Sequence, residues 1–336
     1  MSKGFRLVFP KPKTVEIEEV DVGEPGRGQI LVETECTLIS TGTEMTAYTG
    51  DFPPRSFWAE YVRYPFVPGY SNIGRVVEVG EDVTNIRVGD IVASHMPHIT
   101  SFVIDAEKVV SVPKNVGCEE AAFSTIASIV LNSVRLSRIG LGESVVIVGL
   151  GPLGQLATMF SRFSGGYPVI GVDLSDKRLE IALKSGANRI IKGGEWDKVY
   201  GDVRNMTKGR MADVVFEVTG NPKVIPYAIR LCREMGRFIV LSSPRGPSLL
   251  DFHDEVNRPS RVIIGTHATS QPSVETLVYP WSRRRNIELF FDLLSERLID
   301  VKHLITHRFN WDEAGEVYKF ILENRLETLG VILRFK

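Results

Sequence analysis

Cysteine is scarce in this chain. Of its 336 residues only Cys36, Cys118 and Cys232 are cysteines, and they lie far apart. That spacing offers neither a disulfide framework nor a CxxC metal knuckle. Histidine is nearly as rare, six in all, and no sign of charge dominates: 40 Lys and Arg against 41 Asp and Glu leave −1. Such a balance gives no electrostatic ground for a nucleic-acid or membrane-surface partner. The short run Arg283-Arg284-Arg285 reads as a solvated helix start. Long apolar runs are missing too, the longest (121–134) being interrupted by Ser124, Thr125, Ser128 and Asn132, so no membrane span is expected. The opening MSKGFRLVFPKPK lacks an apolar core of signal-peptide length. A cytoplasmic protein acting on a small molecule is the expectation.

What is present is a globular mixture, 43% hydrophobic and 24% charged, at a length suited to two domains. There is no internal repeat, but the texture changes near residue 120. Before it, short strands are expected at 5–8, 15–20, 30–39, 75–79 and 103–112, punctuated by Gly and Pro as in GEPGRG at 23–28. This is the pattern of an antiparallel β-domain. A helix is expected over 118–136. Beyond it, strands at 144–148, 169–173, 189–191, 213–218, 238–241 and 261–264 alternate with helices such as 152–163 and 176–185, the latter stopped by Gly186. Continuous apolar strands separated by helices predict an α/β, doubly wound parallel sheet. The tail carries expected helices at 285–294 and 311–324 and a strand at 329–335, placed to return to the first domain's sheet. The expected division is 1–125 with 267–336, and 126–266.

The strong motif is VVIVGLGPLG, 145–154. Gly149, Gly151 and Gly154 fit GxGxxG between a strand and a helix; Pro152 and Leu153 complete the turn. The first glycine permits the bend, the second admits a pyrophosphate, and the third lets helix pack on strand. Free N–H groups at the helix start make an anion site. Asp173 follows about twenty residues later, where a carboxylate accepts hydrogen bonds from the adenosine ribose. A ribose phosphate would be repelled there, so NAD(H) is expected rather than NADP. The alternative is a glycine turn that binds nothing, with Asp173 capping the next helix. Arg178 is expected to point to solvent.

Several further segments resemble the medium-chain dehydrogenase/reductase superfamily, the alcohol dehydrogenase relatives. ILVETECTLISTGTE (30–44) resembles its strand leading into the catalytic loop, and VPGYSNIGRVVEVGEDVTNIRVGD (67–90) its next hairpin. DVVFEVTG (213–220) resembles its fourth Rossmann strand and exit. The resemblance implies a GroES-like β-rich catalytic domain plus a Rossmann domain, and a homodimer or homotetramer pairing through Rossmann-sheet edges. It also exposes departures. Zinc-dependent members place a cysteine in the loop, a His-Glu pair in the hairpin, and a cysteine or glutamate near the helix before the Rossmann domain. Here the corresponding residues are Thr41, Tyr70 with Ser71, and Ser124-Thr125. Neutral hydroxyls are not normal zinc ligands, so no metal is expected. ISTGTE with PGYS also resembles a metal-poor branch that includes bacteriochlorophyllide dehydrogenase-like proteins.

Without zinc, the proton of an alcohol needs another route. Zinc can lower the pKa of bound water from about 15.7 to about 7, roughly 12 kcal/mol, whereas a single oxyanion-hole donor contributes about 3–4 kcal/mol. A general base, or an already activated substrate, must make up the difference. SHMPHITS (94–101) supplies His95 and His98 in the loop that lines the family's substrate pocket, either of them a candidate base. Tyr70 is placed to donate to the developing oxyanion, Thr43 to relay the proton, and Glu44 to orient the loop. Alternatively, Tyr70 and Ser71 merely satisfy backbone groups of their turn. Thr219, Ser242 and His267 follow Rossmann strands and are candidates for the nicotinamide end, with an interdomain hydrogen bond as the other role for His267. The leading expectation is a zinc-independent, NAD(H)-dependent dehydrogenase acting on a secondary alcohol such as a polyol or sugar derivative. A quinone or enoyl reductase and a non-catalytic dinucleotide-binding protein are the rivals.

Overall fold

The computed structural model describes residues 2–335. The chain divides into two compact units, one holding everything up to Ile126 together with Ile287 onward, the other Ala127–Asn286. Among the described residues no helix is long and apolar enough to cross a membrane.

The first unit is built on a seven-stranded sheet. Its order is Ile305–Asn310, Gly330–Arg334, Gln29–Ile39, Asn72–Val79, Ile91–Ser94 and Val110–Ser111, with Ser101–Asp105 pairing onto Gln29–Ile39 off this path. Gln29–Ile39 is its spine. Ile30, Val32, Thr34, Cys36 and Leu38 are buried at alternate positions, the period of a pleated strand. Ile30 and Val32 pack with Val76, Val92 and Phe102, while the strand's other end adds Ile39 to Leu7, Phe9, Met45, Tyr318 and Leu333. The expected returning strand is there: Gly330–Arg334 lies antiparallel to Gln29–Ile39 and parallel to Ile305–Asn310.

Three local expectations are corrected. The strand expected at 103–112 ends at Asp105, because the Ala106 N–H leaves the ladder for the Gly28 carbonyl at 2.9 Å and a 3-10 turn, Ala106–Lys108, follows. The helix expected over 118–136 is two, Cys118–Ala121 and Ser124–Ser137. The cysteines are not all unpaired either. The start of the short helix lies against the spine strand, and Cys36 and Cys118 are joined in a disulfide with Cα atoms 6.6 Å apart. Sequence spacing carries no information about that approach.

The second unit is a six-stranded parallel sheet ordered Arg189–Lys192, Val169–Asp173, Val145–Val148, Ala212–Glu217, Cys232–Val240, Val262–Gly265. Counted along the chain this is 3-2-1-4-5-6, the doubly wound dinucleotide-binding order, and it reverses beside Val145–Val148. Val145, Val146 and Ile147 are wholly buried, as strands covered on both faces must be. The segment 267–286 belongs here, not with the first unit as expected. Polar groups hold it and the residue before it: Ser133 Oγ donates to Thr266 at 2.8 Å, Asn132 Nδ2 to Ser270 at 2.8 Å, and the Tyr279 hydroxyl to Asn132. Trp281 stacks under the Arg135 guanidinium, 3.2 Å from ring centre to Cζ. The arginine run is therefore partly engaged, since Arg285 lies 4.1 Å from the same indole.

Candidate active site

In the second unit each glycine of the turn after Val145–Val148 meets a different constraint. Gly149 has φ +95°, and a Cβ there would stand 2.9 Å from the Thr219 methyl. A Cβ on Gly154 would fall 1.9 Å from the Gly149 carbonyl oxygen, so only glycine lets the helix Pro152–Phe163 start this close. A Cβ on Gly151 would meet nothing within 4 Å. That open space leaves room for a pyrophosphate beside Pro152 and Leu153, which form the first helical turn. The site fits a dinucleotide.

Asp173 ends the neighbouring strand, almost fully buried. Its carboxylate accepts the Leu150 N–H at 2.6 Å and the Ser175 N–H at 2.8 Å. Two of about four lone-pair directions are thereby used, and the others could accept further donors such as hydroxyls. Arg178, expected in solvent, lies instead with a guanidinium nitrogen 4.0 Å from Asp173 and its side chain only 16% exposed. One helical turn carries it from the strand end back over the carboxylate. Past the next strands, Thr219 and Ser242 converge on one group. The Thr219 N–H (2.7 Å) and both hydroxyls donate to the Glu217 carboxylate. His267 is exposed, and its Nδ1 accepts the N–H of Thr269 at 3.3 Å. It caps its own turn within the second unit.

In the first unit the loop after the spine strand and the Pro68-Gly69 turn form a cluster of hydroxyls. The Tyr70 hydroxyl faces the side chains of Ser40 and Thr43. Its ionisation is pushed well above the usual phenol range, chiefly by burial; those two hydroxyls oppose the shift and the Glu44 charge adds to it. The Tyr70 carbonyl accepts from the Thr125 hydroxyl at 3.0 Å and from His95 Nδ1 at 2.8 Å. A carbonyl only accepts, so His95 carries its proton on Nδ1 and Nε2 is the ring's basic nitrogen. Ser71 is buried, and its hydroxyl has no partner in the structure. Thr41 is half-buried.

His98 is not in this cluster, and its expected role as a base is corrected. It is wholly buried, with Nε2 donating to Glu44 at 2.9 Å and Nδ1 paired with the Thr37 hydroxyl at 2.7 Å. Gly69 sets it there, since a Cβ at its φ of +99° would be 2.5 Å from the His98 backbone nitrogen. Glu44 accepts the Ser40 N–H at 2.9 Å through one oxygen, and through the other His98 and the Tyr318 hydroxyl at 2.5 Å. Glu44 thus ties the loop carrying Ser40 and Thr43 to the sheet.

Comparison with known proteins agrees with both halves of this architecture. The family description "Alcohol dehydrogenase GroES-like domain" matches residues 26–129 and "Zinc-binding dehydrogenase" matches 152–282. The chain belongs to the medium-chain dehydrogenase/reductase superfamily. L-Threonine 3-dehydrogenase of Pyrococcus horikoshii is 29% identical, covering 91% of each chain. Sorbitol dehydrogenase of Bacillus subtilis is 23% identical over 97% of this chain and 96% of its own. The solved structure of an alcohol dehydrogenase from Escherichia coli CFT073, complexed with NADH, covers all of both chains at 20% identity and a TM-score of 0.82. The superfamily's GroES-like and Rossmann domains are the two units described above.

The superfamily's zinc does not fit the residues expected at its ligand positions. Thr41, Tyr70, Ser71 and Ser124-Thr125 offer hydroxyls where zinc takes thiolate, imidazole or carboxylate. Among the described residues no three His, Cys, Asp or Glu side chains gather where they could hold a metal ion. Two residues escaped the sequence reading. Tyr318 carries no local signal, since its partner Glu44 is far away in sequence. Glu217 did carry one: a charge closing the apolar strand Ala212–Glu217.

Proposed function

We propose that the protein is an NAD(H)-dependent dehydrogenase interconverting a secondary alcohol and a ketone without a catalytic metal. Its substrate class is polyols, sugar derivatives or other hydroxylated molecules. One observation carries this reading: the hydroxyls of Ser40, Thr43 and Thr125 gather around Tyr70, with His95 fixed on the carbonyl of the same residue. The dehydrogenase relatives support the reaction class, and Asp173 beside the glycine turn supports NAD(H).

In alcohol oxidation, the Tyr70 hydroxyl hydrogen-bonds the substrate oxygen and steadies the negative charge that develops as its proton leaves. Ser40 and Thr43 hold that phenol in place and Thr43 relays the proton. Nε2 of His95 accepts it as the general base. A bound NAD would supply the acceptor for the hydride that leaves the carbinol carbon. The Ser71 hydroxyl is a further donor for a substrate rich in hydroxyl groups. Arg178, close to Asp173, bears on whether NADP is tolerated as well. The chain pairs with a second copy through the edge strand Val262–Gly265, whose Val262 and Ile263 are 49% and 39% exposed; an open apolar edge invites such pairing.

The test is direct. Protein dialysed against a strong chelator is mixed with NAD and a panel of polyols and sugars, and NADH absorbance is followed. Turnover that survives chelation is expected. Activity that vanishes and returns with stoichiometric zinc refutes the metal-free mechanism, and NADH oxidation by quinones with no alcohol oxidation refutes the reaction class.

A further inference from the structure

Glu217 is a wholly buried carboxylate for which the mechanism above has no use. All three donors to it are neutral: the Thr219 N–H and the hydroxyls of Thr219 and Ser242. The Thr219 hydroxyl accepts from the Asn221 N–H at 3.1 Å, so its own hydrogen is committed to Glu217. The Glu217 backbone carbonyl is held by the Leu241 and Ser242 N–H groups, both at 3.1 Å. Among the described residues no Lys, Arg or His forms an ion pair with it. The sheet therefore holds this carboxyl group at the end of a central strand, the partners of its side chain among the described residues all being neutral dipoles. Burying a charge is costly unless it is fully hydrogen-bonded, and in a low-dielectric interior its field reaches far.

The strand order says which part of a dinucleotide feels that field. A dinucleotide lies across the point where the order reverses, one half on each side. Asp173 ends the strand on one side and takes the adenosine ribose. Ala212–Glu217 is the strand on the other side, and Thr219 packs against Gly149 of the turn between them. The nicotinamide half falls to Glu217, Thr219 and Ser242. That ring is a cation when oxidised and neutral when reduced.

We propose that Glu217 makes the site discriminate between the redox states of its cofactor, favouring the oxidised form. Glu217 acts through Thr219 and Ser242, as a positioning residue that touches neither substrate nor reacting atoms. This rests on the NAD(H) reading, and the test separates the two. Dissociation constants for NAD+, NADH and ADP-ribose are measured on the full chain by calorimetry and NADH fluorescence. Wild-type protein that binds none of them ends the NAD(H) reading and this proposal with it. If it binds, Glu217→Gln is expected to weaken NAD+ about tenfold relative to NADH, with ADP-ribose, which lacks the nicotinamide, little changed. Glu217→Asp keeps the charge and is expected to keep the ratio, even if both affinities drop. Should the glutamine variant not fold, Glu217→Asn is expected to move the ratio the same way. Equal losses for NAD+ and NADH, or an unmoved ratio, overturn the proposal and leave Glu217 a structural tie.

Discussion

Tyr318→Phe removes one oxygen from the core of the first unit and nothing else. The ring stays packed edge-on against Phe9, with centroids 4.9 Å apart, and no cavity opens. What goes is the hydroxyl that donates to Glu44 at 2.5 Å. A hydrogen bond to a charged group contributes about 1.5–3 kcal/mol net. The carboxylate keeps the Ser40 N–H and His98, so a loss near the lower end, about 1.5–2 kcal/mol, is expected. Urea unfolding of wild type and variant between pH 6 and 9 measures it, and the gap should be flat there. The sign at higher pH follows from the phenol, whose ionisation is driven well above its ordinary value of 10.0 by burial and by Glu44. Stability due to a raised pKa is complete below the unfolded value and drains away above it. Wild type should therefore weaken more steeply above about pH 10 than the phenylalanine variant, and the gap should close. A loss under about 0.5 kcal/mol, or a gap that widens above pH 10, would refute the account of Glu44 as a charged anchor.

Three other outcomes are expected. Tyr70→Phe should lower kcat about 10²–10³-fold with KM within a few fold, since the lost donor acts on charge that develops only in the transition state; steady-state kinetics on the polyol found active decides it. Gly154→Ala should abolish NADH binding and lower the melting temperature, because its Cβ would overlap the Gly149 carbonyl at 1.9 Å; retained fluorescence titration would contradict this. Val262→Lys should shift the species seen by light scattering from dimer or tetramer toward monomer while the far-UV spectrum is unchanged, as a charge on a pairing edge resists addition of another strand.

The parts that were legible in the sequence were those written in local periodicity. The apolar run at 145–148, the glycines at 149, 151 and 154 and the carboxylate at 173 specify strand, turn and helix within thirty or so residues, and the structure differs there only at element ends. The hydroxyls of Thr41, Tyr70 and Ser71 were legible only against a family pattern. What escaped depends on approach between distant segments. His98 and His95 are alike in sequence, three residues apart in one loop. Which of them is buried is decided by Gly69 and by Glu44, from other segments. Arg178 looked solvated because helical position alone does not show that Asp173 waits one turn away. The Cys36–Cys118 pair and the placement of 267–286 are likewise tertiary facts.

The strand Gly330–Arg334 sits between Gln29–Ile39 and Ile305–Asn310, and this has a consequence for biosynthesis. When the ribosome has delivered the whole of Ala127–Asn286, that unit has all its strands and can close. At that point Ser101–Asp105 already covers Gln29–Glu33, but the Cys36–Ile39 half of the same edge of the spine strand still lacks the partner that Gly330–Arg334 supplies. Unpaired edges of nascent chains are where aggregation starts. Until Gly330–Arg334 is made, the end of the spine strand that leads into the loop of Ser40 and Thr43 stays open on that edge to association with another chain.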